Sequence, residues 1–343
     1  MTYFVGIDVS LDESSICVIN NEGEEVLETS VNTNPESIAD AISDYDANEL
    51  KIALETGPIT SWLWHEITGA GLEVVVIDAR SLHQVLKTQR NKTDKNDARG
   101  IAQVLRTGWY RESHVKSYES HALRALLKSR THLINMRQDL ENTVRGLMKP
   151  FGLRVPPGGR AKFAERVREV CANQPILSKA IEPLLHSRRE VIVQISEIDR
   201  TLLSTAKSHD DCRRLMTVPG VGPITSLAFV SAIGNGEQFP RPRSVGAFFG
   251  LTPRRYQSGD VDYQGRICKR GDNMVRTLLY EAANVLITVA RKSHPLRTWG
   301  RKLAKKSGMQ KARVAVARKL AVLLATILKD GTEFEWPKKE CTA

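Results

Sequence analysis

The order of strand and helix signals in the first hundred residues constrains the fold of this chain more than any other feature. Three short apolar runs, YFVGIDV, SSICVIN and EEVLETSV, follow one another closely, and the turn sequence NNEG separates the second from the third. The pattern then changes to helix PESIADAISDY, strand LKIALE, helix SWLWHEITGAG, strand EVVVID and a further helical stretch. Antiparallel strands that lead into βαβ units predict a ribonuclease-H-like α/β domain.

Two carboxylates end strands of this predicted sheet. Asp8 follows the apolar run of the first strand in VGIDVS, and Glu55 ends that of the fourth in IALETG. If these strands are neighbours, the two side chains can face one another. Either residue alone is equally typical of the turn that follows a strand.

Two further carboxylates lie in NKTDKNDARGIAQVLRTG. Asp94 and Asp97 are three residues apart, so on a helix they lie one above the other, in a row that continues into Ile101 and Leu105. The local alternative is a helix start, with Thr93 or Asp94 as the N-cap and Asp97 in the first turn. The acids nevertheless extend the apolar stripe that should face the sheet, where solvating charge is not expected.

Four carboxylates that converge on a mostly buried site repel one another and require a counter-charge. One or two Mg²⁺ ions supply it, and such ions on oxygen ligands are the recurrent apparatus of phosphoryl transfer. We therefore predict a Mg²⁺ site made of Asp8, Glu55, Asp94 and Asp97. An actin-like sugar kinase or ATPase also opens with a strand near GIDVS, but it needs later glycine-rich phosphate and adenosine loops, which are not recognisable here.

Charge is divided unevenly along the chain. Residues 1–110 carry 8 Lys and Arg against 18 Asp and Glu, and the remainder carries 42 against 21, so the net charges are −10 and +21. This segregation predicts that the later part contacts a polyanion. No apolar run approaches the ~20 residues of a membrane span, and the start lacks a signal-peptide layout. A cytoplasmic location without a membrane partner is expected.

Two heptad series predict an antiparallel helical hairpin in the middle of the chain. The first series consists of leucines seven residues apart: Leu126, Leu133, Leu140 and Leu147. The second has the same spacing: Ile181, Arg188, Ile195 and Leu202. Between them, the basic loop MKPFGLRVPPGGRAKF breaks any helix. The hairpin would associate with itself or pack on a partner, but two ordinary amphipathic helices of a globular bundle fit the pattern as well.

Two segments of the last third suit nucleic acid. Gly220 and Gly222 in VPGVG have the spacing of a helix-hairpin-helix, whose backbone N–H groups approach phosphate; a tight interhelix turn is the alternative. Ser258 lies in RRYQSGDVDYQGRICKRGD, where a serine before glycine is often only a turn residue. Cationic and aromatic side chains able to grip phosphate and stack on bases surround it: Arg254, Arg255, Tyr256, Tyr263, Arg266, Lys269 and Arg270.

The complete order, from Asp8 and Glu55 through the KTDKNDA acids to VPGVG and GLTPRRYQSG, resembles the DEDD transposases, the insertion-sequence recombinases that also include Piv-type DNA invertases. The resemblance covers roughly residues 3–330 and is weakest near 150–180. It implies an α/β plus all-α architecture in three parts: a RuvC-like domain over 1–110, a helical coiled-coil region over 111–208, and a mainly helical transposase domain with a helix-hairpin-helix over 209–335.

The resemblance also implies chemistry and partners. The four acids would bind Mg²⁺, and Ser258 would be the nucleophile that forms a phosphoserine link to cleaved DNA. The resemblance implies that the partners are double-stranded donor and target DNA and a structured guide RNA of the bridge or seeker type. It also implies that the protein is associated with the bacterial nucleoid. Because recombination joins four DNA ends, a homodimer that becomes a tetramer in the synaptic complex is expected.

Physical chemistry leaves two alternatives beside this prediction. A serine hydroxyl needs activation, and since no histidine is near Ser258 in the sequence, the acids and Mg²⁺ must supply it. A RuvC-like nuclease or junction resolvase would use water instead, with Ser258 as a structural residue. A non-catalytic DNA- or RNA-binding protein is disfavoured because all four acids are present.

Overall fold

The computed structural model describes residues 1–87, 93–234, 236–290 and 294–335. The chain forms two compact units, Met1–Lys116 and Ser117–Ala343. No helix among the described residues is long and apolar enough to cross a bilayer.

A mixed sheet is the centre of the first unit. Its strands are β1 (Tyr3–Val9), β2 (Glu13–Ile19), β3 (Glu25–Asn32), β4 (Leu50–Glu55) and β5 (Val74–Ile77). Their order across the sheet is β3-β2-β1-β4-β5. The pairs β1–β2 and β2–β3 are antiparallel, whereas β1–β4 and β4–β5 are parallel. This topology confirms the predicted ribonuclease-H-like order.

Helices cover both faces of this sheet. They are α1 (Pro35–Ala41), a 3-10 turn (Ala47–Glu49), α2 (Thr60–Gly69), α3 (Ala79–Leu86) and α4 (Asp94–Thr107). One face buries Val5, Ile7, Ile52 and Leu54 in a core shared with α1 and α2. The other buries Ala53, and partly buries Phe4, beneath α3 and α4. Because successive strand residues alternate in direction, β1 and β4 contribute to both cores.

Two long antiparallel helices begin the second unit: α5 (Tyr118–Met148) and α7 (Pro175–Ser208). A 3-10 turn (Lys149–Phe151) and α6 (Phe163–Cys171) lie between them in the chain. At one end of the hairpin, Leu127 clusters with Leu202. At the other end, Met148 clusters with Ile181. The predicted helical hairpin is therefore formed within one chain.

The prediction that the leucine series of α5 forms the buried seam of the hairpin is wrong. Leu147 is 40% exposed, and the other three leucines of the series are only half-buried. The buried positions lie one residue further along the chain: Leu127, Glu141 and Met148, with Leu123 and Val144. The predicted positions of α7 are correct, since Ile181, Arg188, Ile195 and Leu202 are all buried. The polar residues Glu141 and Arg188 form an ion pair within the seam. Because Glu141 occupies a buried position of α5, the leucine spacing does not reveal which positions of that helix are buried.

Shorter helices form the core of the remaining part of the second unit. They are α8 (Asp210–Met216), α9 (Pro223–Ile233), a 3-10 turn (Pro242–Ser244), α10 (Val245–Phe248), α11 (Asn273–Thr288), α12 (Pro295–Ser307) and α13 (Met309–Asp330). Most of α9 is buried on every side, which makes it the central helix of this core. The prediction of a mainly helical second part is confirmed. An exposed two-stranded hairpin, β6 (Pro253–Ser258) and β7 (Val261–Ile267), was not predicted.

Candidate active site and nucleic-acid interface

The register of β1 and β4 brings two of the predicted acids to one edge of the sheet. Ile7 is paired with Leu54 in the parallel ladder, and the next residues along the two strands are Asp8 and Glu55. Each lies two residues beyond a position on the α4 face, Gly6 in β1 and Ala53 in β4. Because side chains two residues apart share a face, both acids belong to the face that carries α4.

Helix α4 lies directly on the backbone of β1 at Gly6. A β-carbon added to Gly6 would be 2.1 Å from the carbonyl oxygen of Ala98 and 2.4 Å from the amide nitrogen of Ala102. Both alanines are fully buried. The absence of a side chain at Gly6 therefore determines how closely the helix approaches the strand.

Two ion pairs show the direction in which α4 runs along the sheet. Arg99 pairs with Glu25 at 3.6 Å, and Lys95, one turn earlier in the helix, pairs with Glu28 at 2.7 Å. Lys95 precedes Arg99 in α4, whereas its partner Glu28 follows Glu25 in β3, so α4 runs antiparallel to β3. Strand β3 is parallel to β1, because both strands are antiparallel to β2. The first turn of α4 consequently lies at the edge where β1 and β4 end.

That first turn carries the other two acids. Thr93 is the N-cap, and its hydroxyl accepts a hydrogen bond from the backbone N–H of Asn96 at 3.2 Å, as the local alternative predicted. Asp94 is exposed, whereas Asp97 is half-buried and lies one turn before the buried Ile101. Capping and a role at the sheet edge are compatible, because the cap uses the Thr93 side chain and neither carboxylate.

The acid edge, defined as Asp8, Glu55, Asp94 and Asp97, fits Mg²⁺ by donor chemistry, since carboxylate oxygens are the ligands that this ion prefers. Within the described ranges, however, no three acidic, histidine or cysteine side chains are grouped closely enough to hold a metal ion. The fit to Mg²⁺ therefore rests on the donor type and on the shared position of the four residues along the backbone.

Ser258 is the last residue of β6. It is exposed and pairs with Val261 across a two-residue turn in which Gly259 has a φ of +54°. This position explains the glycine that follows the serine, because left-handed backbone geometry at a tight hairpin turn favours glycine. Ser258 is therefore accessible from solvent.

The two faces of the β6–β7 hairpin differ in chemistry. Tyr256 and Tyr263 are cross-strand partners whose rings stack with centroids 5.0 Å apart and planes at 18°. Ser258 shares the face of this stack because it lies two residues from Tyr256. On the opposite face, Arg255 donates two hydrogen bonds to the Asp262 carboxylate, at 2.9 and 2.6 Å. These bonds hold the pKa of Asp262 below its ordinary value.

The remaining predicted cations lie along the hairpin and at its base. Arg254 and Arg266 are exposed on the strands, and Lys269 and Arg270 are exposed where β7 returns to the helical core. Here the chain is tightly constrained: a β-carbon on Gly250 would lie 2.2 Å from the Arg270 carbonyl oxygen.

A residue that the sequence analysis missed holds this base together. Arg276 of α11 donates hydrogen bonds to the backbone carbonyls of Phe249 at 3.0 Å and Arg270 at 3.1 Å. It thereby ties both ends of the hairpin segment to the core. An isolated arginine in an amphipathic helix gives no sequence signal of this kind. Gly6 was also missed, although a glycine inside a strand is a recognised sign of close backbone approach.

The two glycines of VPGVG differ in environment. Gly220 has a φ of +89°, and a β-carbon there would lie 2.5 Å from the carbonyl oxygen of Ala282 in α11, so tight packing alone accounts for it. Gly222 is the N-cap of α9, and no atom lies within 4 Å of the place where its β-carbon would be. The start of α9 therefore leaves open space at Gly222, where a phosphate could approach the backbone.

The sheet order is that of a RuvC-like domain. Two family models match the chain. One, a transposase family of the DEDD type, matches residues 5–151, and the other, described as the IS116/IS110/IS902 transposase family, matches residues 212–298. The chain belongs to this family of insertion-sequence transposases, so it is an enzyme of DNA strand cleavage and transfer. The predicted family and enzyme class are confirmed.

Two related proteins agree with this assignment. The transposase for insertion sequence element IS1111A of Coxiella burnetii is 29% identical over 332 residues, which are 94% of this chain and 89% of the relative. The pilin gene-inverting protein of Moraxella bovis is 25% identical over 297 residues, 85% of this chain and 84% of the relative. A solved structure of T. thermophilus RuvC with a Holliday junction substrate matches 33% of this chain and 100% of its own, at 13% identity and a TM-score of 0.26.

Proposed function

We propose that this transposase cleaves and rejoins DNA through attack by Ser258 at a phosphodiester, assisted by the acid edge. The observation that carries the proposal is that four acids from three separate elements, β1, β4 and α4, share one edge of the sheet. Turn or cap preferences explain such residues one at a time, but they do not explain why all four share one edge. Asp8, Glu55, Asp94 and Asp97 would hold one or two Mg²⁺ ions, which polarise a phosphate and stabilise the attacking and leaving oxygens.

The reaction conserves bond energy. The Oγ of Ser258 forms a bond to phosphorus, the bond from phosphorus to one deoxyribose oxygen breaks, and the serine proton ends on that oxygen. The resulting phosphoserine is again a diester, so a strand hydroxyl can reverse the step and join a different DNA end without ATP. The exposure of Ser258 at a hairpin turn suits a nucleophile that must reach a DNA strand.

The proposed partners follow the charge of the second unit. The tyrosine face of the hairpin, with Arg254, Arg266, Lys269 and Arg270 nearby, and the start of α9 at Gly222 would contact nucleic acid. Donor and target DNA duplexes are the proposed substrates, and a structured guide RNA is proposed to direct their recognition. The proposed assembly is a homodimer that becomes a tetramer. We further propose three working parts, 1–110, 111–208 and 209–335, in a cytoplasmic, nucleoid-associated protein.

A metal-dependent nuclease or junction resolvase that uses water is the second candidate. The observation that favours it is the tight turn after Ser258, which accounts for a small polar residue at this position without catalysis. The two candidates differ in whether protein and DNA become covalently joined. Labelled DNA is incubated with the protein and Mg²⁺, denatured in SDS and separated by electrophoresis.

The proposal expects an SDS-resistant protein–DNA species that is absent for Ser258→Ala. Ser196→Ala removes the hydroxyl of another exposed serine, on α7, and should form the species as the wild type does. Cleavage at the wild-type rate by Ser258→Ala, without any adduct, would instead establish the water-dependent nuclease.

A further inference from the structure

The tip of the α5–α7 hairpin is a basic surface that the proposed chemistry does not use. Residues 145–162 contain five Lys or Arg and no Asp or Glu. The five cations are Arg145, Lys149, Arg154, Arg160 and Lys162. A run of like charge is often only a solvated face, so its function depends on whether the tip has a fixed structure.

A buried network fixes the tip on the two long helices. The guanidinium of Arg188, 4% exposed, donates to the Glu141 carboxylate at 2.9 Å and to the backbone carbonyl of Arg160 at 2.9 Å. The Phe163 ring contacts two guanidinium groups, those of Arg145 and Arg188, each 4.9 Å from its centroid. Arg188 therefore ties the end of the basic segment, at Arg160, to the seam between the two long helices.

The start of this segment lines a partly open cavity. Its volume is about 430 Å³, within the ~300–1,000 Å³ usual for small-ligand sites. Its lining is cationic and apolar and includes no carboxylate: Arg145, Lys149, Gly152, Leu153, Arg154 and Val155. Lys149 and Arg154 are exposed and form no ion pair with any other residue that the structure describes. Such cations retain their full capacity to bind an anion.

An exposed aromatic residue, Phe151, adjoins these cations in the sequence. Phe151 is 51% exposed and stands in the chain between Lys149 and the αL residue Gly152. A single exposed phenylalanine is common on protein surfaces, so its significance here depends on the neighbouring cations. Cations that bind phosphate, together with an exposed ring, form the combination that recognises unpaired nucleotides, whose bases can stack on the ring. Bases of an intact duplex are not available for this contact.

We propose that the hairpin tip binds an unpaired nucleotide, with its phosphate at Arg145, Lys149 and Arg154 and its base stacked on Phe151. This inference rests on the proposed function in one respect, that nucleic acid is the partner of the second unit. The nucleotide belongs to looped RNA or to single-stranded DNA, which share the phosphate and the unpaired base and differ in the 2′-hydroxyl. The tip is thus a second nucleic-acid site, additional to the β6–β7 hairpin.

The full-length protein tests this with three labelled probes: an RNA stem–loop, single-stranded DNA of the loop sequence, and a fully paired DNA duplex of the same length. Fluorescence anisotropy is recorded at several salt concentrations. The double variant Lys149→Glu/Arg154→Glu should bind the stem–loop or the single strand on the order of tenfold or more weakly. Its slope of log K against log salt should fall by about 1.4, for two lost contacts to an unpaired strand. The duplex should be affected least.

Matched variants separate the tip from charge in general. Lys128→Glu/Arg200→Glu makes the same charge change at exposed positions near the other end of the hairpin and should bind the probes nearly as the wild type does. Phe151→Tyr keeps a stacking ring and should retain affinity, whereas Phe151→Leu keeps only apolar bulk and should lose on the order of tenfold. Circular dichroism and the unfolding midpoint verify that each variant is folded.

Loss with the RNA probe alone would identify looped RNA as the ligand, and equal loss with both unpaired probes would identify unpaired nucleotides of either kind. Unchanged affinity of the tip variants would overturn the proposal, as would an equal loss with the duplex combined with normal binding by Phe151→Leu. Asp8→Asn, measured in parallel, separates this site from the proposed reaction. If Asp8→Asn cleaves normally while the tip variants lose binding, only the assignment of the acid edge is wrong. If Asp8→Asn loses cleavage while the tip variants bind normally, only the tip site is wrong.

Discussion

The carbonyl oxygen of Ala98 occupies the place that a β-carbon on Gly6 would need, only 2.1 Å from it. At this contact α4 packs directly on β1. Gly6 lies two residues before Asp8 in β1, and Ala98 lies one residue after Asp97 in α4. The contact therefore sets the separation between the acids of the sheet and the acids of the helix. A site assembled from different elements depends on such packing, because displacements of about 1 Å can remove much of the activity of a catalytic group.

Gly6→Ala should consequently damage both stability and cleavage. Inserting a methyl group against backbone atoms that cannot rotate away costs roughly 1–3 kcal/mol or more, and relief requires α4 to move off the sheet. Urea unfolding measures the free-energy change, and a DNA cleavage assay measures the loss of rate. Gly69→Ala is the control, since a β-carbon at Gly69, at the end of α2, meets no atom within 4 Å. Wild-type stability and cleavage for Gly6→Ala would show that the acids do not depend on this contact.

The acids themselves should be required for cleavage but not for binding. Asp8→Asn and Asp97→Asn each keep the side-chain shape while removing a carboxylate charge, so Mg²⁺-dependent cleavage should fall to background. Nucleic-acid binding should persist, because removing negative charge does not weaken contacts to phosphate. Asp44→Asn, at an exposed position outside the acid edge, should behave as the wild type. Cleavage at the wild-type rate by either of the first two variants would show that the metal-site assignment is wrong.

Arg254 and Arg255 should differ in their effect on nucleic-acid binding. Arg255 is engaged by Asp262, so Asp262→Asn should free its guanidinium and raise affinity, and adding Arg255→Ala should remove that gain. Arg254→Ala should lower affinity by roughly 1–3 kcal/mol if it contacts phosphate directly. Filter binding at fixed salt measures all four proteins. Equal affinity of the wild type and Asp262→Asn would mean that Arg255 only stabilises the hairpin.

The Arg255–Asp262 pair should also be visible in the pH titration of the Asp262 carboxyl. Hydrogen bonds from Arg255 lower the pKa of the folded Asp262 carboxyl below its unfolded value. The stabilisation is therefore complete above the unfolded pKa and is lost as the pH falls through the depressed folded pKa. NMR titration of the Asp262 carboxyl should find its midpoint below the ordinary range in the wild type and restored in Arg255→Ala. An ordinary midpoint in the wild type would contradict the pair.

Breaking the buried pair of the helical hairpin should be costly. Glu141→Gln leaves the Arg188 guanidinium buried without its counter-charge, a change that typically costs about 3–5 kcal/mol. The double variant Glu141→Leu/Arg188→Met replaces the pair by apolar side chains and should recover much of that loss. Urea unfolding of the two variants measures the loss of stability and its recovery. A single-variant cost below about 1 kcal/mol would indicate that water reaches the pair.

The first unit could be predicted from the sequence in more detail than the second. Its strands alternate visibly and its connections are short, so Asp8 and Glu55 could be assigned to strand ends, and Asp94 with Asp97 to a helix start. The buried seam of α5 could not be predicted, because Glu141 occupies a position where the leucine pattern has no signal. The β6–β7 hairpin was missed although a serine–glycine turn lies between alternating residues, since the surrounding pattern is helical. Gly6 and Arg276 act through tertiary contacts, which periodicity does not report.

The most direct test of the whole proposal is to identify the residue that becomes attached to DNA. After reaction with DNA and Mg²⁺, nuclease trimming and trypsin, the peptide YQSGDVDYQGR, residues 256–266, contains a single serine and no threonine. Tandem mass spectrometry should find a nucleotide remnant on Ser258, lost on alkali treatment by β-elimination, in the wild type and not in Asp97→Asn. Cleaved DNA with this peptide unmodified, or a remnant on Tyr256 or Tyr263 that survives alkali, would contradict attack by Ser258.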